Sequence, residues 1–307
     1  MKPTLPSVPP AFAMVLAFIA ALAGVRAADP VPLELPGIHN AFRVTDRILS
    51  GSQPEGDAAF AELARLGVKT IVSVDGAKPD VASARKNGMR YIHLPFGYDG
   101  VPAERVAELA RAATAQAGPI YVHCHHGKHR GPAAVAVMCE AAAGWSRERA
   151  EKWLRQAGTA EDYPGLYRAV REFHSPTDDE LARVGELPEV AKTPALVDTM
   201  VAIDERFDVL KAVQNAGWKT PPGQPDLAPA HEATLLWEQL RELARTDDTA
   251  KRPDDYRARL ADAEKAADTL RTHLRSPAPD REALDAAFKR TAQSCAACHK
   301  TFRNEKK

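Results

Sequence analysis

The sequence predicts two folds in one chain: an α/β domain whose mostly parallel sheet is flanked by helices, and a C-terminal all-α four-helix bundle. Three observations predict them. Between residues 43 and 174, short β-branched runs alternate with amphipathic segments. Residues 174–192 are polar and contain two prolines. Beyond residue 193, apolar residues recur every three or four positions, and the length of 307 residues suits two domains of about 150 residues each.

The first 27 residues have the layout of a secretory signal peptide. Lys2 precedes an apolar stretch at 11–23, and the small residues that follow predict cleavage after Ala27. A stretch this short is below the roughly 20 residues that span a bilayer, so a membrane anchor is the weaker alternative. The sequence therefore predicts a periplasmic protein without a stable membrane anchor.

Basic and acidic residues balance at 41 each, which gives no reason to expect nucleic acid as a partner.

The α/β domain is predicted to span residues 36–175. Strands are predicted at 47–49, 68–74, 91–94 and 120–123, and helices at 57–66, 80–86, 103–117, 132–143, 146–156 and 163–173. This alternation is typical of parallel strands covered by helices.

A linker is predicted at residues 176–192 and the helical bundle at 193–307. Each of the four predicted bundle helices carries one narrow apolar seam, which suits packing against its neighbours. Proline-containing breaks at 220–229, 252–253 and 276–279 separate the helices.

The segment 120–131 predicts an anion-binding loop. Cys124 follows a strand, and Arg130, six positions later, begins a helix. The residues between them can wrap backbone N–H groups around a phosphate, to which the helix adds its positive end. The same field favours the nucleophilic thiolate of Cys124, and the planar guanidinium of Arg130 can hold two phosphate oxygens.

This loop resembles the His-Cys, five residues, Arg signature of the protein tyrosine and dual-specificity phosphatases. The form His-Cys-x-x-Gly-Lys-x-Arg is most similar to the atypical dual-specificity branch, some members of which act on inositol phosphates or pyrophosphates. The resemblance covers about residues 40–175. It implies that Cys124 is the nucleophile, that Arg130 binds phosphate and that Gly127 makes the tight backbone turn.

The resemblance also implies a general acid that protonates the leaving group. Asp99 lies in a loop after a predicted strand and is the candidate, with Asp75 as the alternative. The sequence departs from the family at Gly131, where a Ser or Thr hydroxyl usually helps the thiol leave. We therefore expect slow turnover, or a domain that binds phosphate without hydrolysing its esters.

The side chains inside the loop predict a basic pocket mouth. The predicted substrate-binding residues are His125, His126, Gly127, Lys128 and His129. A basic mouth favours a phosphorylated small molecule or phosphoprotein, with multiply phosphorylated substrates preferred over phosphotyrosine. The three histidines could instead bind a metal, but successive side chains of such a loop are expected to point in different directions. Cys139, in an apolar helix, is predicted to be a buried core thiol.

The C-terminal sequence Cys295-Ala296-Ala297-Cys298-His299 predicts one covalently bound haem c. Two thiols three residues apart can bond to the vinyl groups of haem, and the adjacent imidazole reaches the iron. A redox disulfide or half of a zinc site are the alternatives. Neither has support nearby, because no strand precedes the pair and no second ligand pair follows it.

Residues 193–307 resemble the cytochrome c-prime and c-556 group. The resemblance implies haem ligation by His299, with Met200 as the sixth ligand or, if it only packs in the core, a five-coordinate iron. It further implies a possible homodimer and a periplasmic electron-transfer partner. The whole chain is therefore predicted to be a periplasmic phosphatase linked to a haem domain for redox or gas sensing. The alternative is a c-type cytochrome with a catalytically weak phosphate-binding domain.

Overall fold

The computed structural model describes residues 29–303. The predicted signal peptide and its cleavage site lie outside these residues. No helix within the described range has the length and apolar character needed to cross a bilayer.

A six-stranded sheet forms the centre of the N-terminal domain. Its strands are β1 (Val31–Leu35), β2 (Ile38–Arg43), β3 (Ile48–Gly51), β4 (Thr70–Ser73), β5 (Arg90–His93) and β6 (Ile120–His123). Their order in the sheet is β1-β2-β3-β6-β4-β5. The four strands β3, β6, β4 and β5 pair in parallel, and β1 and β2 pair antiparallel. The predicted mostly parallel sheet is confirmed.

Helices cover both faces of this sheet. They are α1 (Gly56–Arg65), α2 (Val81–Lys86), α3 (Ala103–Ala115), α4 (Arg130–Ala142), α5 (Arg147–Gln156) and α6 (Pro164–Arg171). Residues on alternate faces of the central strands enter two different apolar cores: Ile71 and Tyr121 pack with α1, whereas Val72 and Val122 pack with α4. Burial on both faces explains why these strands read as continuous apolar runs.

The structure differs from the predicted start of the domain at residue 36. The sheet begins at Val31, because β1 and β2 add an antiparallel hairpin at one edge. The residues of β1 are exposed or half-buried, and Pro32 interrupts them. An edge strand of this kind carries little of the apolar pattern by which strands are predicted.

The segment predicted to be a linker is held against the sheet. After the short helix α7 (Asp178–Arg183) the chain runs beside β5, where the His93 amide donates to the carbonyl oxygen of Pro188 (2.8 Å). The Ala191 amide donates to Nδ1 of His93 (3.1 Å). Leu187 is buried in the core of the α/β domain. Residues 184–191 therefore form a strap along the sheet edge.

The C-terminal part contains the four predicted long helices. These are α8 (Ala195–Asn215), α9 (Pro229–Ala244), α11 (Asp254–Leu274) and α12 (Arg281–Phe302), and a single turn, α10 (Asp247–Ala250), precedes α11. Their apolar seams meet in one core, in which the rings of Phe207 and Phe288 stack with centroids 4.7 Å apart. Leu210 and Leu270 are completely buried there.

Candidate active site

The loop between β6 and α4 forms a backbone cradle. Three of its carbonyl oxygens are hydrogen-bonded from outside: His125 by the Gln53 amide (3.0 Å), Gly127 by Asn40 Nδ2 (2.9 Å) and Lys128 by Thr159 Oγ1 (2.7 Å). Because these carbonyls point outward, the N–H groups are left to point inward. Within residues 29–303, the amides of residues 126–130 have no hydrogen-bond acceptor, which suits them to an oxyanion.

Gly127 is required by the shape of this loop. Its φ angle is +68°, and a Cβ atom there would lie 2.3 Å from the carbonyl carbon of Gly51 at the end of β3. Both the left-handed backbone and the contact exclude a side chain. The predicted role of Gly127 in the turn has this steric basis.

Cys124 and Arg130 stand at the two ends of the cradle. Cys124 is 3% exposed and lies directly after β6. Arg130 opens α4 and donates from Nη2 to Oδ2 of Asp75 (2.7 Å). Its Nε is buried and has no acceptor among the described residues. One edge of the guanidinium is thus fixed by a carboxylate, and a donor remains available for a phosphate oxygen.

Asp75 is the carboxylate that reaches the loop. Its Oδ2 also accepts a hydrogen bond from the His125 amide (2.7 Å), and its Oδ1 accepts one from the Ala77 amide (3.0 Å). Burial acts to raise the pKa of this carboxyl, but the charge of Arg130 and the two amides outweigh it and lower the pKa to about 2. Asp75 is therefore ionised at neutral pH and suited to orient Arg130 rather than to donate a proton.

Asp99, the predicted general acid, is exposed in the loop after β5. Its carbonyl oxygen accepts a hydrogen bond from Arg168 (2.7 Å), which holds the backbone of this loop against α6. Among the described residues, no hydrogen bond joins its carboxylate to the cradle. The assignment of Asp99 as general acid stays a prediction.

Gly131 lies directly against the nucleophile. A Cβ atom at this position would be 3.5 Å from Sγ of Cys124 and 3.1 Å from the Cys124 amide nitrogen. A serine or threonine hydroxyl would thus lie beside the sulfur. Glycine leaves that position without a hydrogen-bond donor.

An aromatic wall of Tyr98, His129 and Tyr163 borders the cradle. The Tyr98 and Tyr163 ring centroids are 4.6 Å apart, and His129 packs edge-on against Tyr163 at 4.7 Å. The Arg130 guanidinium carbon lies 4.5 Å from the Tyr98 ring centroid. Neither tyrosine was predicted from the sequence as part of the site. Tyr98 directly precedes Asp99, and this position was its only signal.

Two of the three loop histidines, His126 and His129, are less basic than predicted. Burial is the main factor that lowers the pKa of His126, and burial lowers that of His129 to about 4, so both are neutral at pH 7. A hydrogen bond to Asp208 raises the pKa of His125 (Nε2 to Oδ2, 3.0 Å) and holds its imidazole against α8. Burial also raises the pKa of the Cys139 thiol to about 12, as suits a core cysteine.

The haem motif occupies the last turns of α12. Cys295 and Cys298 are free, half-buried thiols, and Cys298 packs against the bundle core. Burial lowers the pKa of His299 to about 4, so its imidazole is neutral and has a nitrogen lone pair for iron. Two thiols three residues apart beside a neutral imidazole fit a c-type haem. Met200 packs against the same core from α8, and its role as sixth ligand stays a prediction.

Comparisons with known protein families match both parts of the chain. Residues 42–184 match the family described as Swiss Army Knife protein, DSP-PTPase phosphatase domain. Residues 242–303 match the Cytochrome C' family. Two curated relatives, the dual specificity protein phosphatase TpbA of two Pseudomonas aeruginosa strains, are 27% identical over 125 residues, or 40% of this chain. The match covers 56% of each relative, so the chain spans about half the length of the curated proteins it resembles.

Solved structures with similarity to this chain include two phosphatases. The crystal structure of P. aeruginosa TpbA is 26% identical, covers 50% of this chain and 95% of its own, and has a TM-score of 0.42. The catalytic domain of the PP-IP phosphatase SIW14 from S. cerevisiae, in complex with citrate, is 20% identical, covers 50% and 91%, and has a TM-score of 0.39.

The family matches agree with the resemblances read from the loop and from the Cys-x-x-Cys-His motif. Residues 42–184 match a phosphatase domain of the dual-specificity type, and in the same chain residues 242–303 match the Cytochrome C' family.

Proposed function

We propose that this chain hydrolyses phosphate monoesters through a phosphocysteine intermediate on Cys124. The observation that carries the proposal is the cradle: unpaired inward amides, a buried cysteine at one end and a buried guanidinium with a free Nε at the other. This arrangement places a nucleophile beside an anion site, as attack on a bound phosphate ester requires. A cysteine and an arginine that only packed in the core would not need unpaired amides between them.

The proposed reaction has two steps. Sγ of Cys124 attacks phosphorus, the ester P–O bond breaks, and the leaving oxygen takes a proton from Asp99. A water molecule then attacks phosphorus and gives its proton to Asp99, the S–P bond breaks, and inorganic phosphate leaves. Arg130, oriented by Asp75, holds the non-bridging oxygens throughout.

The role of Asp99 can be tested by comparing two substrates whose leaving groups differ in their need for a proton. Asp99→Asn is expected to lower kcat/KM for a phosphotyrosine peptide by about 10²-fold or more, because kcat/KM reports the first step, in which the leaving oxygen needs a proton. The kcat/KM for p-nitrophenyl phosphate, whose leaving group is stable as an anion, should change far less. An equal effect on kcat/KM for both substrates would remove Asp99 from protonation of the leaving group.

Phosphoproteins and phosphorylated small molecules are the proposed substrates. The neutral His126 and His129 weaken the expected preference for multiply phosphorylated compounds, and the aromatic wall favours an aromatic ester. Turnover of an inositol polyphosphate against that of a phosphotyrosine peptide decides between them. Equal or better turnover of the peptide would rule out a polyanion preference.

We further propose that Cys295, Cys298 and His299 hold one covalent haem c and that the protein is exported to the periplasm. When bound, the haem supplies a redox-active or gas-binding iron. The expected check is an absorbance that stays with the polypeptide after denaturation and is lost in the Cys295→Ala, Cys298→Ala double variant. The spectrum of the reduced protein tests Met200, because a sixth methionine ligand requires a low-spin signature.

We also propose that the haem domain senses redox state or a gas and tunes the phosphatase. The contacts of α8 and Arg303 with the site support this linkage. Identical turnover with the haem oxidised, reduced or ligated would contradict it.

The decisive experiment replaces the nucleophile. Cys124→Ser should lower phosphate release by about 10³-fold or more while the variant still binds tungstate, because the cradle amides remain. Cys139→Ala is the matched control and should keep wild-type turnover. Substantial turnover by Cys124→Ser would contradict the mechanism.

A cytochrome with a non-hydrolytic phosphate-binding domain is the second candidate. Gly131 favours it, because the position next to Sγ lacks a hydroxyl. If the wild-type protein binds tungstate and retains haem but releases no phosphate from any ester, this second function replaces the first.

A further inference from the structure

Three potential metal ligands converge where the phosphate loop meets helix α8. One ligand atom each from His125, His126 and Asp208 lies within 4.8 Å of the other two. It is the only such group of histidine, cysteine, aspartate or glutamate side chains found in residues 29–303. Its members come from both domains.

The two imidazoles do not diverge as the sequence analysis expected. The ring centroids of His125 and His126 are 4.3 Å apart and the ring planes meet at 61°. Nε2 of His125 lies 3.0 Å from Oδ2 of Asp208. Ligand atoms that share a zinc ion at about 2.0–2.2 Å are roughly 3–4 Å apart, so small side-chain rotations would close this group around one ion.

The backbone on both sides of the group is fixed. His125 is held through its amide by Asp75 and through its carbonyl by the Gln53 amide (3.0 Å). Asp208 lies inside the 21-residue helix α8. A preformed backbone leaves only side-chain rotamers to be ordered when a ligand binds.

The chemistry of the group selects the ion. Two imidazoles and one carboxylate, with further positions open to water, are a donor set used by zinc and similar divalent transition metals. Asp204, one helical turn before Asp208, is exposed and adds a second carboxylate on this side of α8. The positive charge of Lys211 opposes binding of a cation, because its Nζ lies 3.9 Å from Oδ1 of Asp208. The Lys211 side chain is exposed and can move away.

We propose that His125, His126 and Asp208 bind one divalent transition-metal ion of the zinc type between the phosphate loop and α8. The ion would lie against α8, because Nε2 of His125 already meets the carboxylate of Asp208 there. Its binding would join the two domains at the rim of the candidate active site. The proposal does not depend on phosphatase turnover.

The test uses the full chain with its haem attached, freed of loosely bound metal by a chelator and dialysis. Calorimetric titration with Zn²⁺ should give one tight site per chain. Amino-acid analysis supplies the protein concentration from which this stoichiometry is calculated. Asp208→Asn and His126→Gln should each weaken zinc binding by at least about ten-fold, because each removes one of three protein ligands. The controls Asp198→Asn, also on α8, and His174→Gln, both at exposed positions, should bind zinc as the wild type does.

X-ray absorption at the zinc edge identifies the ligands without interference from iron. A nitrogen and oxygen shell with imidazole scattering is expected. A sulfur shell would place the zinc on Cys295 and Cys298 and overturn the proposal, as would equal zinc affinity of the wild type and Asp208→Asn. Tungstate binding, measured on the same samples, reports the cradle separately, so loss of the metal site and loss of the phosphate site are distinguishable.

Discussion

At the scale of single residues, Gly131 sets how fast the proposed intermediate can break down. In Gly131→Ser the hydroxyl would lie beside Sγ of Cys124 and could donate to the departing thiolate. We expect hydrolysis of the phosphocysteine to speed up about ten-fold, equivalent to about 1.4 kcal/mol in the barrier. Rapid-quench kinetics measures this step, because the burst of released alcohol should shrink as the second step ceases to limit turnover.

The matched control for this variant is Gly131→Ala. It adds the same Cβ atom, at 3.1 Å from the Cys124 amide nitrogen, without the hydroxyl. Any effect of crowding is common to both variants. Equal rates in Gly131→Ala and Gly131→Ser would contradict the role given to the hydroxyl.

The ion pair between Asp75 and Arg130 predicts how stability depends on pH. The folded pKa of Asp75 is about 2, below the ordinary 3.8, so the folded state stabilises the charged carboxylate. This contribution is complete above about pH 4 and is lost as the pH falls toward 2. The shift corresponds to roughly 2 kcal/mol.

Urea unfolding at pH 4, 3 and 2 measures this contribution. Asp75→Asn should be less stable than the wild type at pH 7, because Arg130 stays buried without its partner. Its stability should also fall less steeply between pH 4 and 2. Asp46→Asn, which changes an exposed carboxylate, should keep the wild-type slope. Parallel curves for wild type and Asp75→Asn would exclude the coupling.

At the scale of elements, the phosphate loop depends on the end of β3. In Gly127→Ala the new Cβ would lie 2.3 Å from the carbonyl carbon of Gly51 and 2.5 Å from the Ser52 nitrogen, so the loop must move. We expect loss of at least about 3 kcal/mol in the free energy of unfolding, together with loss of tungstate binding. Calorimetric titration and urea unfolding measure the two effects.

Gly144→Ala separates steric conflict from backbone strain. Gly144 has a similar φ of +64°, but a Cβ there would meet nothing within 4 Å. This variant should lose only about 1–2 kcal/mol, the cost of a left-handed alanine, and should bind tungstate normally. Similar losses in both variants would mean that the contact with β3 is relieved at little cost.

The elements that the sequence predicted well are those with a strong apolar period. The β-branched run before Ser73 and the seams of α8 and α12 are examples, because their burial follows from local pattern alone. The hairpin of β1 and β2 and the strap around Leu187 were missed. Each is held by contacts with distant residues and has no regular period of its own.

At the scale of the whole molecule, contacts between the domains could not be read from the sequence. His125 meets Asp208 over 83 residues, and Arg303 reaches Tyr163 over 140. Motif spacing predicted the cradle and the haem ligands, because each set of residues lies within one short segment. The pairing of Asp75 with Arg130 and the convergence of His125 with α8 depend instead on how the sheet and the bundle pack.

The end of α12 connects the haem motif to the candidate active site. The Arg303 guanidinium lies 3.9 Å from the Tyr98 ring centroid and donates to the Tyr163 hydroxyl (3.3 Å). The Tyr98 ring also contacts the Arg130 guanidinium at 4.5 Å. The Tyr98 ring thus contacts one cation from each domain. Arg303 lies four positions after His299, directly after the last residue of α12.

We expect Arg303→Ala to loosen the loop that carries Tyr98 and Asp99. Loss of a cation–π contact and a hydrogen bond, together about 1–2 kcal/mol, should raise amide hydrogen exchange in residues 96–101 by about five- to thirty-fold. Lys300→Ala, which changes an exposed cation on the same helix, should leave that exchange unchanged. The visible spectrum of both variants must match the wild type, so that a disturbed haem site is not the cause. If exchange in residues 96–101 does not respond to Arg303→Ala, α12 does not support this loop in solution, and the proposed link between the haem domain and the phosphatase then rests on the contact of α8 with His125.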